Sequence, residues 1–154
     1  MTQKPKSQFI MHTRALRDSP AWRAMSGDAH KLLGLIELEH MRHGGQKNGD
    51  LVVTYADMAK YGLGHFRICA RAVREIEVLG LAEVTHGRAG NREFREPNRY
   101  RLTYLPANGK PPSDEWREIK TIEDAKARLQ SIRRRRKPSP WLRAKAGKVV
   151  KFPA

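Results

Sequence analysis

The chain has 154 residues, 31 of them Lys or Arg against 16 Asp or Glu, for a formal net charge of +15 and a pI of about 10.5. That length holds one compact domain and a tail, not two large domains, and so large a cationic excess points to a polyanionic partner. The single cysteine, Cys69, excludes an internal disulfide or a cysteine-rich zinc site, the six histidines show no H-x-x-x-H spacing, and no apolar run reaches the ~20 residues of a membrane span.

Residues 1–8 are polar and read as a flexible N-terminus without a signal-peptide core. Phe9, Ile10, Ala15, Leu16 and Trp22 then suggest a short helix and an aromatic anchor covering the core, with Pro20 at a turn. Ser26-Gly27-Asp28 precedes Ala29, Leu32, Leu33, Ile36 and Met41 at helical spacing, with Ser26 as N-cap, Asp28 in the positive first turn and Gly44-Gly45 as the stop. Residues 50–53 are short and β-branched enough for one strand. Thr54-x-x-Asp57 after them resembles a capping box that opens a helix through Met58, Ala59 and Tyr61, stopped by Gly62-Leu63-Gly64.

Residues 65–79 place Cys69, Ala72, Val73, Ile76 and Leu79 on one stripe and Phe66, Arg67, Ala70, Arg71 and Arg74 on another, so one face packs and the other is cationic. Gly80 is the C-terminal stop. Residues 81–86 and 99–105 alternate like strands and are expected to pair as a hairpin, joined by a long Gly- and Arg-rich loop over 87–98.

Charge divides unevenly beyond this point. Residues 1–105 hold 17 basic and 11 acidic side chains, a net of +6, whereas residues 106–154 hold 14 and 5, a net of +9. Pro106, Gly109, Pro111 and Pro112 mark a linker over 106–113. It is followed by an amphipathic helix within 114–132 on Ile122, Ala125, Leu129 and Ile132, then a basic, disordered tail over 133–154. Trp116 and Trp141 flank that region, and docking on the domain, a partner surface and base stacking are all open for them, docking being the default for Trp116.

Helix, short strand, helix, tight glycine turn, basic helix and a hairpin with a long basic loop is the order of an α+β winged helix-turn-helix, a three-helix core with a β-hairpin wing. The stretch Tyr61-Gly-Leu-Gly-His-Phe-Arg-Ile-Cys-Ala-Arg-Ala-Val-Arg-Glu-Ile-Glu-Val-Leu-Gly-Leu81 resembles the pattern in which a turn leads into the recognition helix and ends in Leu-Gly-Leu before the first wing strand. With Ser19-Pro-Ala-Trp-Arg-Ala-Met-Ser26 and residues 50–59, it is similar to the DNA-binding modules of plasmid replication initiators and small helix-turn-helix proteins of bacterial mobile elements, over about residues 9–105. Gly64 and His65 depart from the pattern by standing where such helices commonly carry a Ser or Thr cap, a place glycine can also fill.

The basic helix suits a nucleic-acid groove, because an α-helix fits the major groove and an arginine can fork two hydrogen bonds to guanine. Arg67, Arg71 and Arg74 stand at i, i+4 and i+7; Arg67 and Arg71 are assigned to base edges, Arg74 to a phosphate, and His65 and Phe66 to the helix start that reaches deepest. The competing structural reading makes Arg71 and Arg74 solvent-facing partners of Glu75 or Glu77. On the wing, Arg88, Arg92 and Arg95 are set against phosphate or a narrow minor groove, partly cancelled by Glu93 and Glu96, with Phe94 as a cap on the hairpin; the alternative is a solvated tip whose charges pair with one another. Arg133, Arg134, Arg135 and Arg136 are expected to bind phosphates without sequence preference or merely to solubilise the tail.

Cys69 reads as a buried helix-face residue, and His40, His43 and His86 as residues of surfaces or helix ends. No Gly-rich phosphate loop or G-x-S-x-G appears, so neither enzyme activity nor a cofactor is expected. The expected function is sequence-specific binding of double-stranded DNA by a transcriptional regulator in the bacterial cytoplasm, at the nucleoid and not at a membrane. The alternatives are a plasmid replication initiator or recombination accessory factor, an RNA-binding protein, and a protein-interaction scaffold. A homodimer is the further partner considered, through residues 14–22 or the helix after Asp114.

Overall fold

The computed structural model describes residues 7–88 and 96–134. Among them are six α-helices, one 3-10 turn and a three-stranded antiparallel sheet, an α+β arrangement.

The N-terminal region forms two short helices where one was expected. Thr13 caps α1 (Arg14–Asp18) by accepting from the Leu16 amide, and Ser19 caps α2 (Pro20–Ala24) by accepting from the Trp22 amide, both at 3.2 Å. Pro20 is therefore the first residue of α2, where its missing N–H would have had no partner, and Ser19 makes the turn. Phe9, expected to cover the core, is 57% exposed. The inward contact upstream of α1 is made by His12, whose Nε2 lies 2.6 Å from Glu37 Oε1, the same oxygen that accepts the Tyr104 hydroxyl at 2.6 Å. Trp22 packs beside this cluster, its ring centroid 5.0 Å from that of His12 and 5.3 Å from that of His30.

The long helix α3 (Gly27–Arg42) starts where expected, with Ser26 accepting from the Ala29 amide, and it buries Ala29, Leu32, Leu33 and Ile36. His40, read as a surface or helix-end residue, does sit in the last turn but is buried. Strand β1 (Leu51–Val52) leads to α4 (Tyr55–Lys60), which opens on a complete capping box. The Thr54 hydroxyl accepts from the Asp57 amide at 3.1 Å, and the Asp57 carboxylate accepts from the Thr54 amide at 3.0 Å. Helix α5 (Phe66–Val78) buries Cys69, Ala72, Val73 and Ile76 and packs against α3 and α4.

Strands β2 (Ala82–Thr85) and β3 (Arg99–Leu102) form the expected hairpin, in register from Ala82 opposite Leu102 to Thr85 opposite Arg99. β1 adds to the other edge of β3, giving the order β1-β3-β2. Asn48, just before β1, extends that pairing with a buried side chain: its Oδ1 accepts from the Leu102 amide at 2.7 Å and its Nδ2 donates to the Leu102, Leu105 and Pro106 carbonyls.

The expected boundary at residue 105 does not separate two packing units. The segment read as a linker, 106–113, turns back on itself through a bridge between Ala107 and Lys110, and its end is held where the Asp114 amide donates to the Thr103 carbonyl. Beyond it, the 3-10 turn (Glu115–Glu118) and α6 (Ile122–Arg134) bury Trp116, Ile119 and Ala125 in the same core as α3 and α5. Trp116 docks, with its indole N–H on Asp114 at 2.9 Å. Gly80 makes the approach close enough: at φ +69° it ends α5, and a Cβ there would come within 2.9 Å of the Glu115–Trp116 backbone. Arg133 and Arg134, assigned to the tail, belong to the last turn of α6. Of the two segments considered for dimer contacts, residues 14–22 hold α1 and the start of α2, and α2 packs against α6, the other segment, within the chain.

Candidate nucleic-acid interface

The cationic stripe is carried by α5, and its start differs from expectation in one detail: the cap is not glycine but the His65 ring, whose Nδ1 accepts from the Arg67 amide at 3.3 Å. Opposite the buried stripe, Arg67, Arg71 and Arg74 are exposed and Phe66 is 56% exposed, its ring beside that of His65 at 4.9 Å between centroids. The helix is thus oily on the side that packs into the core and bears three guanidinium groups on the other.

The three arginines are not equivalent. Arg71 Nη2 lies 3.3 Å from Asp28 at the start of α3, and its Nε lies 3.6 Å from Glu75 one turn along α5. Glu75 is buried and also accepts from the Ser26 amide at 3.1 Å, so Arg71, Glu75 and Asp28 fasten α5 to the capped end of α3. Arg71 was assigned to a base edge; the geometry makes it the ion-pair partner of the competing reading, with Asp28 added. Arg67 and Arg74 make no ion pair among the described residues. Glu77, the other acid considered for Arg71 and Arg74, lies 3.2 Å from His86 of the hairpin.

The neck of the hairpin is narrow. A Cβ on Gly87 would collide with the Glu96 carbonyl, and the Gly87 amide donates to Asn98 Oδ1 at 3.1 Å. Arg88 follows, exposed at the outer end of the described part of the hairpin. Arg92, Arg95, Glu93 and Phe94 lie outside the described residues, as do Arg135, Arg136 and Trp141, and the side chain of Arg134 is not described. Arg133 is exposed on the last turn of α6, next to the α5 face.

Sequence reading did not place α6 beside α5, nor did it find Asp28 as a partner of Arg71. The i,i+4 spacing of Arg71 and Glu75 was visible in the sequence, but Asp28 is 43 positions away and carries no local signal. Cys69 is buried, and burial pushes its thiol above the ordinary range, the direction opposite to an activated nucleophile. No group of three His, Cys, Asp or Glu side chains among the described residues is placed to hold a metal ion, and none of the described helices is long and apolar enough to cross a membrane.

No family model, curated protein or solved structure matches the chain. What the site can do chemically follows from its geometry. Unpaired guanidinium groups on a rigid, exposed helix supply paired donors for planar or anionic acceptors, and the aromatic ring at its start supplies apolar contact.

Proposed function

We propose that the chain is a sequence-specific, double-stranded DNA-binding protein of the winged helix-turn-helix type that acts as a transcriptional regulator. In this reading α3, α4 and α5 are the three-helix core, α5 enters the major groove, and the β2–β3 hairpin is the wing against backbone or minor groove. The observation that carries the proposal is the outward face of α5, where Arg67 and Arg74 stand exposed and without acidic partners among the described residues while the opposite stripe is fully packed. Arg67 and Arg74 then reach base edges, and Phe66 meets apolar base surface such as a thymine methyl. Arg71 sets the angle of the helix and adds charge near the backbone. Arg88 contacts a phosphate from the wing.

Selection of bound duplexes from a random pool at near-physiological salt tests this reading. The expected result is enrichment of a short motif, with inverted half-sites if two copies bind. Direct iterated repeats would instead fit the marking of a replication origin. A pool that stays random through successive rounds contradicts sequence-specific binding.

A further inference from the structure

A groove of about 580 Å³ runs between the outer face of α5 and the last turn of α6. Arg67, Arg71 and Arg74 line it from α5 and Arg133 from α6, while Ala70 and Ile132 add apolar surface. A smaller cavity of about 100 Å³ shares Arg71, Ile132 and Arg133 with the groove and continues toward Ser26 and Glu75. Helix α6 is fixed in this place: Ala125 is fully buried, Leu129 packs against the core, and Arg128 donates to the Val78 carbonyl at the end of α5 at 3.4 Å.

The charge of the groove is unbalanced. Its nearest acids, Asp28 and Glu75, are engaged by Arg71, and the sequence holds no acid after Asp124 that α6 or the following chain could turn inward. Like charges facing one another across a narrow opening raise the local potential, and an anion between them lowers it. A small inorganic anion would satisfy one guanidinium pair and leave the apolar lining idle. A phosphodiester strand meets both features, since its phosphates alternate with sugars that present apolar edges. The amino-terminal half of α5 is also where a recognition helix reaches deepest, so the strand bordering that groove passes next to the last turn of α6.

We propose that one strand of a DNA duplex lies in this groove, with its phosphates held by Arg133 on α6 beside Arg71 on α5, while Arg67 and Arg74 face the bases. Helix α6 is then part of the DNA interface. This proposal rests on the duplex-binding reading above.

The test measures affinity of the full chain for a fluorescent 30-base-pair duplex and for the matching single strand across a series of salt concentrations. Arg133→Gln is expected to lower the slope of log affinity against log salt by about 0.9, the effect of one phosphate contact on duplex DNA. Lys126→Gln, at an exposed position of α6 that does not line the groove, removes the same charge and is expected to leave the slope unchanged. Ala70→Trp fills the groove without changing charge and is expected to weaken duplex binding at least tenfold, with its thermal melt confirming that it folds. Equal slopes for Arg133→Gln and the unaltered chain, or equal losses for Arg133→Gln and Lys126→Gln, overturn the groove proposal. If Arg67→Ala and Arg74→Ala still lose preference for a selected duplex over a scrambled one in that case, the α5 reading survives. Single-strand binding as tight as duplex binding, with the same response to Arg133→Gln, overturns the assignment to a duplex strand, and absence of duplex binding by the unaltered chain removes both readings together.

Discussion

Arg67, Arg71 and Arg74 share one ridge of α5, yet only Arg71 lies within reach of acids from two helices, and that difference sets what each can do. An exposed ion pair contributes roughly 0–1 kcal/mol, whereas a buried carboxylate that loses a partner costs more. Glu75 is such a carboxylate, 7% exposed and left with only the Ser26 amide if Arg71 is removed. Arg71→Ala is therefore expected to lower unfolding stability by about 1–2 kcal/mol in urea titration, while Arg67→Ala and Arg74→Ala stay within about 0.5 kcal/mol. Under the DNA-binding proposal the order is expected to reverse for discrimination between DNA sequences, with Arg67→Ala and Arg74→Ala losing most. Asp57 supplies a separate, pH-dependent contribution: hydrogen bonds from the Thr54 side chain and backbone hold its carboxyl below the ordinary value. A carboxyl depressed in the folded state adds stability that is complete above about pH 4 and is lost as pH falls through the folded value. Melting temperature is thus expected to drop less between pH 5 and pH 3 in Asp57→Asn than in the unaltered chain, measured side by side. An equal drop would mean that the capping box adds no acid sensitivity.

At the scale of elements, the sequence was legible wherever the signal was local. Ser26 and Thr54 carry capping signatures within four residues, the α5 stripe repeats at helical spacing, and β2 and β3 alternate on either side of a glycine-rich loop. What escaped were partnerships between distant positions. β1 was expected as a strand, but its pairing with β3 is extended by Asn48, a polar residue in a turn that nothing nearby marks as buried. Gly80 was readable as a helix stop, but its second role, letting the Glu115–Trp116 backbone approach, required knowing that residues 115–134 fold back. Proline and glycine over 106–113 suggested a free linker because a pinned turn and a loose one share the same composition. In the site, Arg67 and Arg74 were in view, one assigned to a base edge and the other to phosphate, while the Asp28 tether and the packing of α6 beside the α5 face were not. Asn48→Ala is expected to cost about 2–4 kcal/mol in urea titration, because one buried amide and three carbonyls lose their partner at once. A loss below about 0.5 kcal/mol would mean that the sheet edge does not depend on it.

For the whole molecule, the consequence of the α6 docking is that the core extends past the point where charge and proline content suggested an edge. Trp116, Ile119 and Ala125 are all under 5% exposed, and truncating a buried Trp alone typically costs ~3–5 kcal/mol against a total stability of ~5–15 kcal/mol. A chain ending at Leu105 is therefore expected to melt at least about 10 °C below the full chain or to lose cooperative melting, as followed by circular dichroism. An unchanged midpoint would place residues 106–134 outside the folding unit. The net charge of +15 gives the molecule a general attraction to polyanions, so affinity alone does not distinguish a reader of sequence from a basic protein. Discrimination does. The most direct measurement is competition binding of the full chain and of the Arg67→Ala, Arg74→Ala double variant to a selected duplex against a scrambled one at near-physiological salt. The account predicts that the unaltered chain prefers the selected site and that the double variant loses at least tenfold of that preference, given ~1–3 kcal/mol for each arginine–guanine pair, while its melting temperature is retained. Equal preference in the two proteins, or none in either, would contradict it.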